Sequence, residues 1–152
     1  MGVRFIPTSV HGMIDHGVAP TLLAAPAIFR LRDDSPEALV PRVVGGVEAI
    51  YSNLTDYEMS LKNVVPMPVH LALDGVGGAA LALVPQFTGA RKRGLRHWLP
   101  HLGFGLFEIG MAFLTKTEPP RTTAVRAKNV TKLAAGMKLA KDGAKRVADA
   151  VA

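Results

Sequence analysis

The sequence predicts an all-α protein: a four-transmembrane-helix bundle built from two parallel helical-hairpin repeats, followed by a basic amphipathic C-terminal tail helix. Three observations support this fold class. Four apolar windows follow one another at residues 6–29, 39–55, 63–90 and 97–115. Charged residues are almost excluded from these windows, and the sequence pattern repeats at a separation of 59 to 60 residues. The length of 152 residues is that of a single domain.

The apolar windows have the composition of membrane spans. A spanning helix needs about 20 mostly apolar residues, because the hydrocarbon core is roughly 30 Å thick and each residue rises about 1.5 Å. Of the 18 basic and 12 acidic residues, the windows contain only Asp15, Arg42, Glu48, Asp74 and Glu108. A water-soluble bundle would instead spread charge along one face of every helix. The second window is the shortest, and Arg42 at its start must extend its charged end towards water.

Two copies of one pattern account for the four windows. Equivalent ionisable residues are His11 and His70, Asp15 and Asp74, and Glu48 and Glu108. We therefore expect a transmembrane domain over residues 1–118, with repeat one at 5–60 and repeat two at 64–118. Parallel repeats are related by a two-fold axis along the membrane normal, so equivalent residues should line the bundle centre twice.

Residues 119–152 form a basic tail with a pattern of its own. Apolar residues recur there at helical spacing, with lysines on the opposite face. This predicts an amphipathic helix lying on anionic lipid headgroups; a solvated tail or a contact with a partner subunit is the alternative. The net charge of +6 does not indicate nucleic acid, because no binding motif or aromatic platform accompanies it. The basic tail favours an orientation with both termini in the cytoplasm.

Ionisable side chains inside a membrane are costly and usually face the interior of a bundle. The candidate metal ligands are the three duplicated pairs, His11, Asp15, Glu48, His70, Asp74 and Glu108. These residue types suit a divalent or iron site, although soluble di-iron proteins use a different spacing. His11 and His70 could instead ligate one b-type haem, and the carboxylates could relay protons. The structural alternative is that these groups hydrogen-bond across helices and hold the repeats together.

Five short segments carry a family resemblance. They are Arg4-Phe5-Ile6-Pro7-Thr8, His11-Gly12-x-x-Asp15, Leu54-Thr55-Asp56-Tyr57-Glu58, Pro66-Met67-Pro68-Val69-His70-Leu71-Ala72-Leu73-Asp74 and Leu114-Thr115-x-Thr117. Together they resemble the SPW-repeat family of small bacterial integral membrane proteins, over about residues 4–118. Where that family has Ser-Pro-Trp, this chain has Ala25-Pro26-Ala27 and Val84-Pro85-Gln86, so only the prolines are retained.

The resemblance implies a multi-pass protein of the bacterial inner (cytoplasmic) membrane and supplies no catalytic residues. We expect a small membrane protein that is a structural or accessory subunit of a larger membrane complex rather than an enzyme. The alternative is a metal- or haem-binding redox protein, or a proton or solute transporter, that uses the duplicated His/Asp/Glu set. The absence of cysteine excludes disulfides and thiolate metal sites.

Overall fold

The computed structural model describes residues 3–119 together with Thr131, Lys138 and Lys141. Four α-helices lie within residues 3–119: α1 (Thr8–Ile28), α2 (Pro36–Ser52), α3 (Met67–Phe87) and α4 (Leu99–Leu114). Two short 3₁₀ helices, Ala90–Arg93 and Leu95–His97, lie between α3 and α4. The described residues contain two isolated β-bridges but no sheet, so the predicted all-α class with four helices is confirmed.

The chain divides into two compact units, Met1–Pro119 and Pro120–Ala152. All four helices belong to the first unit. The predicted amphipathic helix of the tail falls outside the described residues, except for the three single positions named above.

Length and polarity distinguish α3 from the other helices. Within the described part of the chain, α3 is the one helix that is both long and apolar enough to cross a membrane. Helix α1 also has 21 residues, but it contains Asp15, two histidines and two prolines. Helices α2 and α4 have 17 and 16 residues. At about 1.5 Å per residue, these two are shorter than a hydrocarbon core of roughly 30 Å.

Local sequence explains why α2 begins earlier than the apolar window predicted. Ser35 is the N-cap, and its hydroxyl accepts a hydrogen bond from the Ala38 amide at 3.3 Å. Pro36 follows at the first helical position, where its missing N–H group costs nothing. The first turn therefore also includes Glu37, which is 1% exposed and forms an ion pair with Arg93.

Two glycines allow the helices within each hairpin to touch. A Cβ atom at Gly45 of α2 would lie 2.7 Å from the Ala19 carbonyl oxygen of α1. A Cβ atom at Gly105 of α4 would lie 2.4 Å from the Gly78 carbonyl oxygen of α3. Because real Cβ contacts are longer, only glycine permits these backbones to approach so closely. Each of the two glycines lies three residues before a buried glutamate.

The two hairpins are joined crosswise at one end of the bundle. The Ile6 amide, just before α1, donates to the Leu114 carbonyl at the end of α4 (3.0 Å). The Val65 amide, just before α3, donates to the Leu54 carbonyl just after α2 (2.8 Å). These contacts are equivalent under the shift of 59 to 60 residues. As a result, the first turns of α1 and α3 lie at the same end as the last turns of α2 and α4.

The carboxylates of the four helices face the interior of the bundle, whereas many large apolar side chains face outwards. All five carboxylates within the helices are buried: Asp15, Glu37, Glu48, Asp74 and Glu108. Every helix carries a large apolar side chain that is at least 63% exposed, namely Met13, Ile50, Val76 and Phe113. An apolar layer of Val18, Leu22 and Leu81 packs further along the interior.

Candidate metal centre

Two histidines meet where the first turns of α1 and α3 face each other. The Nε2 atoms of His11 and His70 are 3.0 Å apart, and the two residues are 1% and 0% exposed. Each histidine is the fourth residue of its helix. Because the crosswise backbone contacts place the two helix starts at one end, both rings enter the interior there.

Two aspartates, one helical turn further along, flank the histidine pair. Asp15 lies 3.3 Å from His11 Nε2 and 3.1 Å from His70 Nε2. Asp74 lies 3.1 Å from His11 Nε2 and 3.3 Å from His70 Nε2. Each carboxylate therefore contacts both rings, and the shorter contact in each case crosses to the other hairpin. Both carboxylates are at most 4% exposed.

A threonine holds the outer nitrogen of each imidazole ring. Thr55 Oγ1 lies 2.8 Å from His70 Nδ1, and Thr115 Oγ1 lies 2.9 Å from His11 Nδ1. The Thr55 hydroxyl donates to the Tyr51 carbonyl oxygen (2.7 Å), so its oxygen is left to accept the Nδ1–H of His70. In the neutral ring the Nε2 lone pair of His70 then points to the centre, because the second nitrogen carries no proton.

Two tyrosines orient the aspartates. Tyr51 Oη donates to Asp74 Oδ1 (2.6 Å), and Tyr57 Oη donates to Asp15 Oδ2 (3.1 Å). Burial beside the Asp15 carboxylate raises the pKa of Tyr57 above its ordinary value, so its hydroxyl keeps the proton that it donates. Both phenol rings also pack edge-on against the His70 ring, at centroid distances of 4.9 and 5.4 Å.

The groups at this centre fit a metal ion. His11, Asp15 and His70 each present one ligand atom, and the three atoms lie within 4.8 Å of one another. Ligand atoms bonded to one zinc ion at about 2.0–2.1 Å are separated by about 3.3 Å in a tetrahedral site. The nitrogen–nitrogen and nitrogen–oxygen distances here are 3.0–3.3 Å. The threonine contacts supply the outer-shell hydrogen bonds that metal-ligating histidines usually make.

The same geometry is less suited to a haem. An iron bonded to both ring nitrogens at about 2 Å would hold them about 4 Å apart, on opposite faces of the macrocycle. Here the His11 and His70 nitrogens are 3.0 Å apart, and the aspartates occupy the space beside them. The histidine pair predicted as haem ligands therefore fits a single ion better than a haem.

All six residues that the sequence predicts as metal ligands are buried, but they do not form one compact group. Glu48 and Glu108 are 1% and 5% exposed. The group of three mutually close ligand atoms is made by His11, Asp15 and His70, and it includes neither glutamate nor Asp74.

Sequence reasoning missed the tyrosines. Tyr51 follows Glu48 by three residues, so the two share a face of α2, and this spacing was the available signal. Tyr57 lies in the connection between α2 and α3, where no helical periodicity applies. Neither tyrosine is duplicated: the positions 60 residues later are Met111 and Thr117.

No protein-family model, curated protein or solved structure matches this chain.

Proposed function

We propose that this chain is a small membrane protein that binds a divalent transition-metal ion at His11, His70, Asp15 and Asp74. The observation that carries the proposal is a buried pair of imidazole nitrogens 3.0 Å apart, with each of two carboxylates within 3.3 Å of both nitrogens. Imidazole and carboxylate ligands suit zinc, iron and manganese. Redox chemistry, metal transport and metal delivery all use sites of this kind.

Charge balance supports an ion at this position. With both aspartates ionised and both imidazole rings neutral, the centre carries two negative charges, and two nitrogen atoms lie 3.0 Å apart between them. Buried charges need a counter-charge, because their desolvation is costly. One divalent cation neutralises both aspartates and accepts both nitrogen lone pairs, so the loaded centre is neutral.

Zinc titration tests the proposal. The full chain, purified in detergent and stripped with a chelator, is expected to take up about one zinc ion per chain at the four-residue site and to retain it through desalting. Elemental analysis and competition with a coloured chelator measure the uptake, and an absorption spectrum tests for haem. Protein that takes up no zinc, manganese or iron would overturn the proposal. The His/Asp cluster would then be a set of cross-helix hydrogen bonds, as expected for a structural or accessory subunit.

We also propose that all four helices span a membrane. The support is the distribution of side chains: carboxylates are buried, and large apolar residues on every helix face outwards. An exposed apolar surface of this kind is typical of a membrane or partner interface. Helices α2 and α4 are short, but the residues just beyond them form backbone hydrogen bonds at the crosswise end. These bonds satisfy backbone N–H and C=O groups, to which lipid offers no hydrogen-bond partner.

Cysteine labelling distinguishes four spans from one. The chain has no native cysteine, so single cysteines can replace Asp33, Leu61, Lys92 and Lys116. Four spans place Leu61 and Lys116 on one side of the membrane, and Asp33 and Lys92 on the other. If α3 alone spans, Asp33 will instead be labelled from the same side as Leu61. We expect the four-span result, measured with a membrane-impermeant maleimide on oriented vesicles.

Membership of the SPW-repeat family and location in a bacterial inner membrane remain part of this proposal. The segments that carry the resemblance contain the residues of the centre and its threonines: His11, Asp15, Thr55, His70, Asp74 and Thr115. The family resemblance and the proposed centre therefore depend on the same residues.

A further inference from the structure

An open apolar groove (the α1–α4 groove) lies on the outer surface of the bundle between α1 and α4. It has a volume of about 380 Å³ and is lined by Val18, Pro100, Gly103, Phe104 and Phe107. A Cβ atom at Gly103 would meet no atom within 4 Å, so the floor of the groove is unoccupied by other side chains there. The volume falls within the range of ligand-binding pockets, about 300–1,000 Å³.

Side-chain size explains why the groove is open. On the other side of the bundle, α2 and α3 meet where a Cβ atom at Gly77 would lie 3.2 Å from Val44 Cγ1. The internal repeat places Val18 and Phe104 at the equivalent positions of α1 and α4. Because these side chains are larger, α1 and α4 pack less closely than α2 and α3. The same repeat therefore closes one side of the bundle and leaves the other open.

Exposed basic residues lie at one end of the groove, opposite the crosswise end. Phe29, just after α1, and Pro100, in the first turn of α4, line one small cavity. The segments that flank these two residues therefore lie close together. They carry Arg30 and Arg96, and both arginines are exposed.

Some arginines at this end have carboxylate partners and others do not. The paired ones are Arg32 with Asp34, Arg42 with Asp33, and Arg93 with Glu37. Within the described part of the chain, Arg30, Arg91 and Arg96 form no such ion pair. The Arg91 guanidinium lies 5.3 Å from the ring centroid of Trp98. Tryptophan is enriched at the membrane–water boundary, and basic residues there attract anionic lipid headgroups.

We propose that the α1–α4 groove binds one anionic phospholipid, with an acyl chain along the groove and the phosphate at Arg30, Arg91 and Arg96. Charge favours this occupant, because the chain has no acidic residue between Asp74 and Glu108. A neighbouring helix would fill the apolar groove but would bring no negative charge to the arginines. The inference rests on the proposed four spans, because the groove meets acyl chains only where α4 lies in the membrane. It does not depend on the metal ion.

Mass spectrometry of the intact chain, released from detergent after addition of phosphatidylglycerol or phosphatidylcholine, counts the lipids that remain bound. We expect one phosphatidylglycerol per chain and weaker retention of phosphatidylcholine. Gly103→Phe places a side chain in the groove and should abolish retention; Gly103→Leu replaces it if the larger ring prevents folding. Gly110→Phe is the matched control, because its Cβ also meets no atom within 4 Å but it lies beyond the residues that line the groove.

Fluorescence locates the headgroup, because Trp98 is the single tryptophan of the chain. Brominated phosphatidylglycerol should quench Trp98 at lower concentration than brominated phosphatidylcholine. The Arg30→Gln/Arg96→Gln variant should lose this preference by about fivefold for each arginine. Lys62→Gln, which removes an exposed basic residue beyond α2 near the crosswise end, should keep it.

The remaining outcomes contradict the inference in distinguishable ways. Equal retention of both lipids, or retention that Gly103→Phe does not reduce, overturns it and leaves the metal site and the four spans standing. A lipid-free dimer that Gly103→Phe dissociates also overturns it, because a second copy of the chain would then fill the groove. Cysteine labelling that places α4 outside the membrane overturns the inference together with the four-span proposal.

Discussion

Replacing His70 with glutamine is expected to lower zinc affinity by at least about 100-fold, since loss of an outer-shell partner alone costs 10–100-fold. His70 Nε2 lies within 3.3 Å of both aspartates and of His11 Nε2, so its loss removes a ligand that other side chains cannot replace. The equivalent change at His11 should have a similar effect. Affinity is measured by competition with a chelator of known zinc affinity.

His16→Gln is the matched control for both histidine variants. His16 lies on α1 like His11, but it is exposed, and its Nδ1 lies 2.7 Å from the Gly12 carbonyl oxygen. Its replacement should leave zinc affinity unchanged. Equal losses in all three variants, or no loss at His70, would show that zinc binds elsewhere.

A threonine substitution separates a metal site from simple cross-helix hydrogen bonding. Thr55→Val removes the oxygen that orients His70, and affinity should fall by about 10–100-fold as for other outer-shell losses. Thr88→Val is the matched control. The Thr88 hydroxyl also donates a hydrogen bond to the carbonyl oxygen four residues earlier, but it has no histidine partner. Only the first variant should change zinc affinity.

Gly105→Ala is expected to destabilise the bundle by about 3 kcal/mol, the upper end of the range for overpacked cores. The new Cβ would lie 2.4 Å from the Gly78 carbonyl oxygen and 2.7 Å from the Ala82 amide nitrogen. Both obstacles are backbone atoms, so α3 and α4 must separate rather than adjust a side chain. The separation would also displace Glu108, one turn further along α4. Thermal unfolding in detergent, followed by helical circular dichroism, measures the change.

Gly110→Ala, in the same helix, should have the opposite effect. A Cβ atom at Gly110 meets no atom within 4 Å. Because glycine is a poorer helix former than alanine, this variant should gain about 0.5–1 kcal/mol. If both variants lose stability equally, close backbone contact at Gly105 is not what holds the second hairpin together.

Much of the helical architecture could be predicted from the sequence, because long apolar segments bounded by charged residues indicate helices. Exclusion of charge from four windows predicted four helices, and each observed helix lies largely within one of them. The matching positions of histidine, aspartate and glutamate predicted that these residues face the interior, since ionisable groups are costly elsewhere. All of them are buried. The four-span topology, the repeat axis and the tail helix remain predictions.

The composition of the centre depended on tertiary structure. Sequence spacing places His11 with Asp15 on one helix face, but it does not show that each aspartate also reaches the histidine of the other hairpin. The crosswise joining of helix ends decides this, because it sets the relative depth of the helices. It also brings Tyr51 and Tyr57 to the aspartates, and it leaves Asp74 and the two glutamates outside the group of three mutually close ligand atoms. Local periodicity thus determined which residues lie inside, whereas contacts between distant segments decided which of them share a centre.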